Sequence, residues 1–328
     1  MDGTPDGPAW QEHMRLAPVA TAALVSRTMV DVIVIGASGL VGRYAIEQLA
    51  ASGRAVLAVS RHRPIGPLPS GVEWQTADVT KSDDVATLPA CNTIVSTVHI
   101  QLTASLAGLL TDRQIDRIIA FSSTSALTKA SAPDSADREV SAQLSSGEKQ
   151  LVESLPRGVL TILRPTMIYA HRGDRNVERV ADQLRRFPIF PLVGPGIGLR
   201  QPVHAEDLAI ATCQVLDHPE TGGRTYNLGG GEVLSFREMV SRVGVANGVK
   251  AKFFPIPLPV ALAGLRVASV SGRYRGIPKG SLERMNKDLV FDNFPAESDF
   301  GYQPRPFQPP MYPRRDSVRR LGAGGKPG

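Results

Sequence analysis

The stretch that decides the fold is VDVIVIGASGLVGRYAIEQLAASG, residues 30–53. VDVIVIG is an apolar run closing on glycine, the pattern of a strand buried on both faces. LVGRYAIEQLAASG carries apolar residues at helical spacing and ends on Gly53, a residue suited to the left-handed position past a helix. Between the two, Gly36, Gly39 and Gly42 permit a tight turn in which backbone amides and the helix N-terminus approach an anion closely. A strand, a glycine turn and a helix in this order form the context in which such a motif holds the pyrophosphate of a dinucleotide. Ser38, Leu40 and Val41 complete that loop.

Working outward, the pattern repeats. AVLAVS, a short strand near VEWQTAD, then NTIVSTV, RIIAFSS and VLTILRP predict the second to sixth strands, with helical segments between several of them. The fold class expected is α/β, a Rossmann-type doubly wound parallel sheet with a smaller C-terminal substrate lobe. After Pro165 the character changes to a basic helix, NVERVADQLRRFP, and then to proline- and glycine-rich loops, while RTYNLGGGE returns one more strand. We therefore expect a dinucleotide-binding domain at 30–170, rejoined by 203–230, and a substrate lobe from 171–202 and 231–310. Residues 1–29 read as a disordered extension or a misplaced start, since Met29 stands immediately before the first strand, and 311–328 as a basic disordered tail.

Composition sets bounds on function. The chain has 328 residues and is 42% hydrophobic, ordinary for a globular protein with a sizeable core. Cys91 and Cys213 lack the spacing of a disulfide framework or a metal site, so a reducing, cytoplasmic setting without a bound metal is expected. The net charge of +6 is concentrated at the C-terminus, where Arg305, Arg314, Arg315, Arg319, Arg320 and Lys326 face one acid, Asp316. The nearly neutral body argues against nucleic acid as a partner, and the tail reads as solvated or as a contact for an acidic partner. APVATAALV is short and follows an acidic opening, and LPVALAGLRVASV is interrupted by Arg266, so neither a secretion signal nor a transmembrane segment is expected.

Two further motifs bear on the cofactor. The second strand ends in AVSRHRP, placing Arg61, His62 and Arg63 where an acid would bind the ribose 2′-hydroxyl of NAD. Arginine there suits a 2′-phosphate, so NADP is preferred and NAD remains possible. In TADVT, Asp78 and Val79 follow the third strand and form an adenine-contacting pair, unless the carboxylate caps the next helix.

Together GASGLVG, ADVT, FSSTS, GEKQLVE, ILRPTMIY, RQPVHAEDLA and YNLGGGE resemble the extended, or atypical, short-chain dehydrogenases/reductases of the NAD-dependent epimerase/dehydratase type. The resemblance runs from residue 30 to about 310, and RRFPIFPLVGPG followed by RQPVHAEDLA is similar to the branch that includes the 39 kDa accessory subunit of respiratory complex I. It implies NAD or NADP on the first lobe and commonly a nucleotide-sugar on the second. In that family a serine or threonine after the fifth strand orients substrate, a tyrosine is the acid/base, and a lysine four residues later holds the nicotinamide ribose. By resemblance Ser122 or Ser123 fills the first role and Lys149 the third, and the tyrosine position falls on Ser145.

No tyrosine occurs between Tyr44 and Tyr169. The family's spacing has a physical reason: residues four apart share a helix face, so the ammonium can lower a phenol pKa of about 10 towards working pH. Serine is a poor general base without another group beside it, and Glu148, Lys149 through a water, and Tyr169 are the remaining candidates. Arg200 matches the family's diphosphate-binding arginine, with an ion pair to Glu206 or Asp207 as the competing reading; Asn176 is a further substrate-binding candidate, and His204 reads as packed or capping.

Two functions follow. One is an NAD(P)-dependent oxidoreductase or epimerase acting by hydride transfer on a nucleotide-sugar or other small-molecule carbonyl substrate. The other is a catalytically silent NADP(H)-binding protein that docks on a protein partner. Lys149, the serines and Arg200 point to the first, the missing tyrosine to the second.

Overall fold

The computed structural model describes residues 30–113, 115–171, 173–174, 176–270 and 279–312. The expectations for the extension before residue 30 and for the tail beyond 312 lie outside the described residues, while the expected tail boundary at 311 is corrected, since Tyr312 is buried and its amide donates to Asn247 at 3.0 Å. β1 (Val32–Ile35) is buried at every position, which is why it is apolar throughout rather than alternating. α1 (Gly42–Ala51) buries Ala45, Ile46 and Leu49 against the sheet, and Gly53 follows its end at φ 84°, a conformation costly for a residue with a Cβ. The alternation continues through β2 (Val56–Ser60), β3 (Val72–Thr76), α2 (Ser82–Ala86), β4 (Thr93–Ser96), α3 (Ile100–Ser105) and α4 (Ala107–Asp112). β5 (Arg117–Phe121), α5 (Ser125–Thr128), the long α6 (Ser135–Ser154) and β6 (Leu160–Pro165) complete this part.

Beyond β6 the chain leaves the sheet through β7 (Ile168–Tyr169), α7 (Val177–Arg186), β8 (Ile189–Val193), β9 (Leu199–Arg200) and β10 (Val203–His204). α8 (Ala205–Asp217) then packs beside α1, and β11 (Thr225–Leu228) pairs parallel with β6. The remainder consists of β12 (Leu234–Ser235), α9 (Phe236–Ala246), β13 (Lys252–Ile256), α10 (Leu258–Val270), α11 (Lys279–Glu283) and α12 (Phe294–Phe300).

Seven strands form one sheet in the order β11-β6-β5-β4-β1-β2-β3, and all neighbours are parallel. This is the doubly wound Rossmann-like sheet that the strand–helix alternation predicts. Its strand order reverses between β1 and β4, where Ile33 pairs with Leu57 on one side and Ile94 on the other. A crevice opens at the carboxyl ends of the strands at such a reversal. One core layer lies under α1 and α8, with Leu49, Leu208 and Tyr226 among its residues, and the opposite layer includes Ile100, Leu144 and Leu151. A third core, holding Val177, Leu184, Phe190 and Val243, is built by the segments after β6. Among the described residues no helix is long and apolar enough to cross a membrane.

Candidate functional site

The glycine turn is shaped by what it excludes. Gly36 has φ 84°, and a Cβ there would come within 2.7 Å of Thr97 Oγ1. At Gly42 a Cβ would lie 2.2 Å from the carbonyl oxygen of Gly36, so a side chain at 42 would have to move backbone, while one at 36 would displace the Thr97 and Val98 side chains from a positive-φ position. Thr97 Oγ1, from the end of β4, stands 3.1 Å from the carbonyls of both Ile35 and Gly36 and ties the turn to the neighbouring strand. α1 starts at Gly42 with no side-chain cap, leaving its N-terminal dipole to the turn formed by Gly39, Leu40 and Val41.

A cleft of about 270 Å³ opens beside this turn, walled by Gly36, Ser38 and Gly39, by Arg61 and His62 at the end of β2, and by Asp78 and Val79. Arg63 is exposed and stands outside this lining. Asp78 Oδ1 accepts from the Thr80 amide at 3.1 Å and the Thr80 hydroxyl at 2.8 Å. These two hydrogen bonds hold its carboxyl below the usual range. The carboxylate thus shapes the loop entering α2, whose own N-cap is Lys81 without a side-chain bond. The cradle of glycines, an uncapped helix start and adjacent cations fit a dinucleotide phosphate chemically.

A second cavity, about 310 Å³, continues from Thr97 and Val98 past His99 to Ser122, Ser123 and Ser125. Its α6 wall is made by Val140 and Leu144, one helical turn apart. This corrects the reading of Ser145 and Lys149 as the pair facing the cavity: both are exposed, and Lys149 Nζ instead lies 3.7 Å from Glu153 on the outer face. The rotation of α6 has a packing cause. Gly147 seats against α3, where a Cβ would meet the Gln101 amide nitrogen at 3.1 Å. Buried Glu148 accepts from Arg164 Nε at 2.9 Å and from the Ser122 hydroxyl. The 144, 147, 148, 151 phase of buried residues carries this rotation in the sequence, with a polar residue in an apolar series. Glu148 is therefore a fixed anion behind Ser122, and Tyr169 is fully buried with its hydroxyl accepting from the Gln308 amide at 3.2 Å.

A third cavity adjoins the second through Ser123 and Ser125 and brings Asn176 and Arg200 to one wall with Lys129 and Arg284. Arg200 is 4% exposed. Its Nη1 donates to the carbonyls of Leu199 at 2.7 Å and Lys287 at 2.8 Å, and its Nη2 to that of Arg284 at 2.6 Å. Burial, reinforced by the Arg284 charge, pushes its pKa down to about 10. The ion-pair reading of Arg200 is corrected: Arg305 takes Asp207 at 2.6 Å and Glu206 at 2.9 Å. Lys129 Nζ lies 2.8 Å from Asp137, which also pairs with Arg284. Burial pushes the Asp137 pKa up, but the hydrogen bonds from Lys129 and Arg284 outweigh it and the carboxyl titrates lower than usual. His204 accepts the Glu206 amide at 3.2 Å as the N-cap of α8, and burial pushes its pKa down. Val140, Leu144, His99, Lys129 and Arg284 are among the lining residues that the motifs did not single out.

The model of the NAD dependent epimerase/dehydratase family matches residues 32–102. Subunit 9 of the mitochondrial NADH dehydrogenase (ubiquinone) 1 alpha subcomplex of Arabidopsis thaliana is 25% identical over 274 residues, covering 76% of this chain and 65% of that protein. The chain thus spans about two thirds of that relative's length. The uncharacterized protein YbjS of Escherichia coli is 23% identical, with 83% and 93% covered. Among solved structures, MoeE5 in complex with UDP-glucose and NAD superposes with TM-score 0.61 at 20% identity, covering 84% of this chain and 94% of that one. UDP-glucuronic acid 4-epimerase from Bacillus cereus in complex with NAD gives 0.65 at 17% identity, covering 89% and 99%. These structural likenesses establish the fold.

Proposed function

The chain belongs to the NAD-dependent epimerase/dehydratase family of extended short-chain dehydrogenases/reductases, and from that premise we propose that it binds NADP(H) but does not run the family's tyrosine-dependent chemistry. The observation that carries this reading is the α6 face on the second cavity, apolar Val140 and Leu144, beside a dinucleotide cleft whose glycine cradle is intact. In this reading the turn from Gly36 to Gly42 receives the pyrophosphate, Arg61 the 2′-phosphate, and Val79 the adenine. Ser122 and Ser123 stand at the nicotinamide end. Bound NADP(H) supplies a hydride equivalent, but neither Val140 nor Leu144 can exchange a proton or lower the pKa of a neighbour. The protein then acts as a cofactor-loaded partner for another protein.

A second reading is favoured by the polar rim of the same cavity. His99, Ser122 and Ser123 border it, and the Ser122 hydroxyl donates to Glu148, so its oxygen lone pairs remain to accept from a substrate hydroxyl. An oxidoreductase acting on a carbonyl or nucleotide-sugar substrate, with its proton supplied by His99 or solvent, fits those groups. Fluorescence titration with NADPH and NADH, followed by a turnover panel of UDP-glucose, UDP-glucuronic acid and small ketones, separates the two. Tight NADPH binding with no turnover is expected. Turnover abolished by Ser122→Ala would establish the oxidoreductase, and equal affinity for NADH would remove the NADP assignment.

A further inference from the structure

Away from the cofactor cleft, the outer face of the third core is apolar. Phe187 has extended backbone, so Phe187, Ile189 and Pro191 share one side of the strand while Phe190 and Leu192 turn inward. The parallel register sets Lys252 beside Ile189 and Phe254 beside Pro191. Phe187 is 69% exposed, Ile189 53%, Phe254 60%, and Val260 in the first turn of α10 59%. Large apolar side chains clustered at this exposure mark an interaction surface rather than ordinary scatter. Its surroundings are cationic: Arg186, Lys250 and Lys252 are exposed, and the chain has no acid between Asp182 and Glu206 or between Glu238 and Glu283. Asp182, the nearest acid on α7, is paired with Arg185 at 2.5 Å.

We propose that the face formed by β8, β13 and the start of α10 docks on the surface of an anionic lipid bilayer. Exposed apolar side chains with Lys252 beside Ile189 in register, and with Arg186 and Lys250 next to the two strands in the chain, match the acyl boundary and its phosphate headgroups together. As described, α10 has 13 residues, and Leu258, Ala261 and Leu262 pack against the third core, so its first turn is held to the same lobe as β8 and β13. A second copy of the chain is the poorer match, because a twofold contact would set the Arg186, Lys250 and Lys252 collars against each other. The proposal does not depend on which cofactor or reaction the cleft serves.

Vesicle flotation of the full chain tests it. Binding is expected to vesicles of equal parts phosphatidylcholine and phosphatidylglycerol, weakened by salt, and not to phosphatidylcholine alone. Phe254→Ser with Val260→Ser, and separately Lys250→Glu with Lys252→Glu, should each lower the partition about tenfold or more. All four positions are exposed, so the parent melting temperature should be kept. Neutralising the tail by Arg314→Gln, Arg315→Gln, Arg319→Gln and Arg320→Gln should leave most of the binding in place. The proposal is overturned by absence of flotation at low salt, by binding that survives the face variants but not the tail variant, or by a face whose substitution dissolves a sedimenting dimer while vesicle binding is unchanged.

Discussion

At the scale of single residues, Arg61 and Arg200 show how the same side chain takes different work from its surroundings. Arg61 lines the cleft beside the glycine turn, where, in the proposed NADP(H) complex, a charged contact to a phosphate is worth roughly 1.5–3 kcal/mol. Arg61→Asp is therefore expected to lower the NADPH:NADH affinity ratio by about tenfold or more, read by paired titrations. Arg200, by contrast, spends its donors on the carbonyls of Leu199, Lys287 and Arg284. Arg200→Ala strands buried acceptors at about 1–3 kcal/mol each. The measurable result should be a melting temperature well below the parent's with NADPH affinity in the folded state unchanged. An unaltered melting temperature with weakened nucleotide-sugar binding would return Arg200 to the diphosphate role.

At the scale of one element, α6 is a test of helical phase. Asp134 caps its start by accepting the Ala136 amide at 3.0 Å, and Gly147 and Glu148 fix its rotation. Ser145→Ala and Lys149→Ala lie on the exposed face and are expected to change stability by no more than about 0.5 kcal/mol and NADPH affinity not at all. Val140→Tyr combined with Leu144→Lys places the family's acid/base pair on the cavity wall. General acid–base assistance is worth typically about 10²–10⁴-fold, so NADPH-dependent reduction of an activated ketone should rise measurably in this variant. If Ser145→Tyr raised activity and the Val140 and Leu144 variant remained silent although folded, the phase assigned to α6 would be wrong.

At the scale of the whole molecule, the cleft beside the glycine turn, proposed to hold the dinucleotide, lies where the sheet reverses order and is walled by loops after β1, β2, β3 and β4. A ligand there braces four separate crossovers at once. NADPH at about 100 times its dissociation constant should add about 2.7 kcal/mol to stability, visible as a rise in melting temperature that follows ligand concentration. NADPH that bound without raising it would place the ligand elsewhere, or on the unfolded chain as well.

The sequence by itself determined the strand–glycine turn–helix, the run of parallel strands and part of the cleft wall, namely Gly36, Ser38, Gly39, Arg61, Asp78 and Val79 but not Arg63. Those properties are local: an apolar run, a glycine that tolerates positive φ, and a cation directly after a strand each express their chemistry within a few residues of chain. Only the tertiary structure decided which face of α6 meets the cavity and what Arg200 holds. The rotation of α6 is set by Gly147 against α3 and by Glu148 against Arg164, groups contributed by other segments. The Arg200 partners lie 84 and 87 residues away along the chain, apart from its neighbour Leu199. Spacing along one helix predicts which residues share a face, but the direction of that face is fixed by the packing of everything around it.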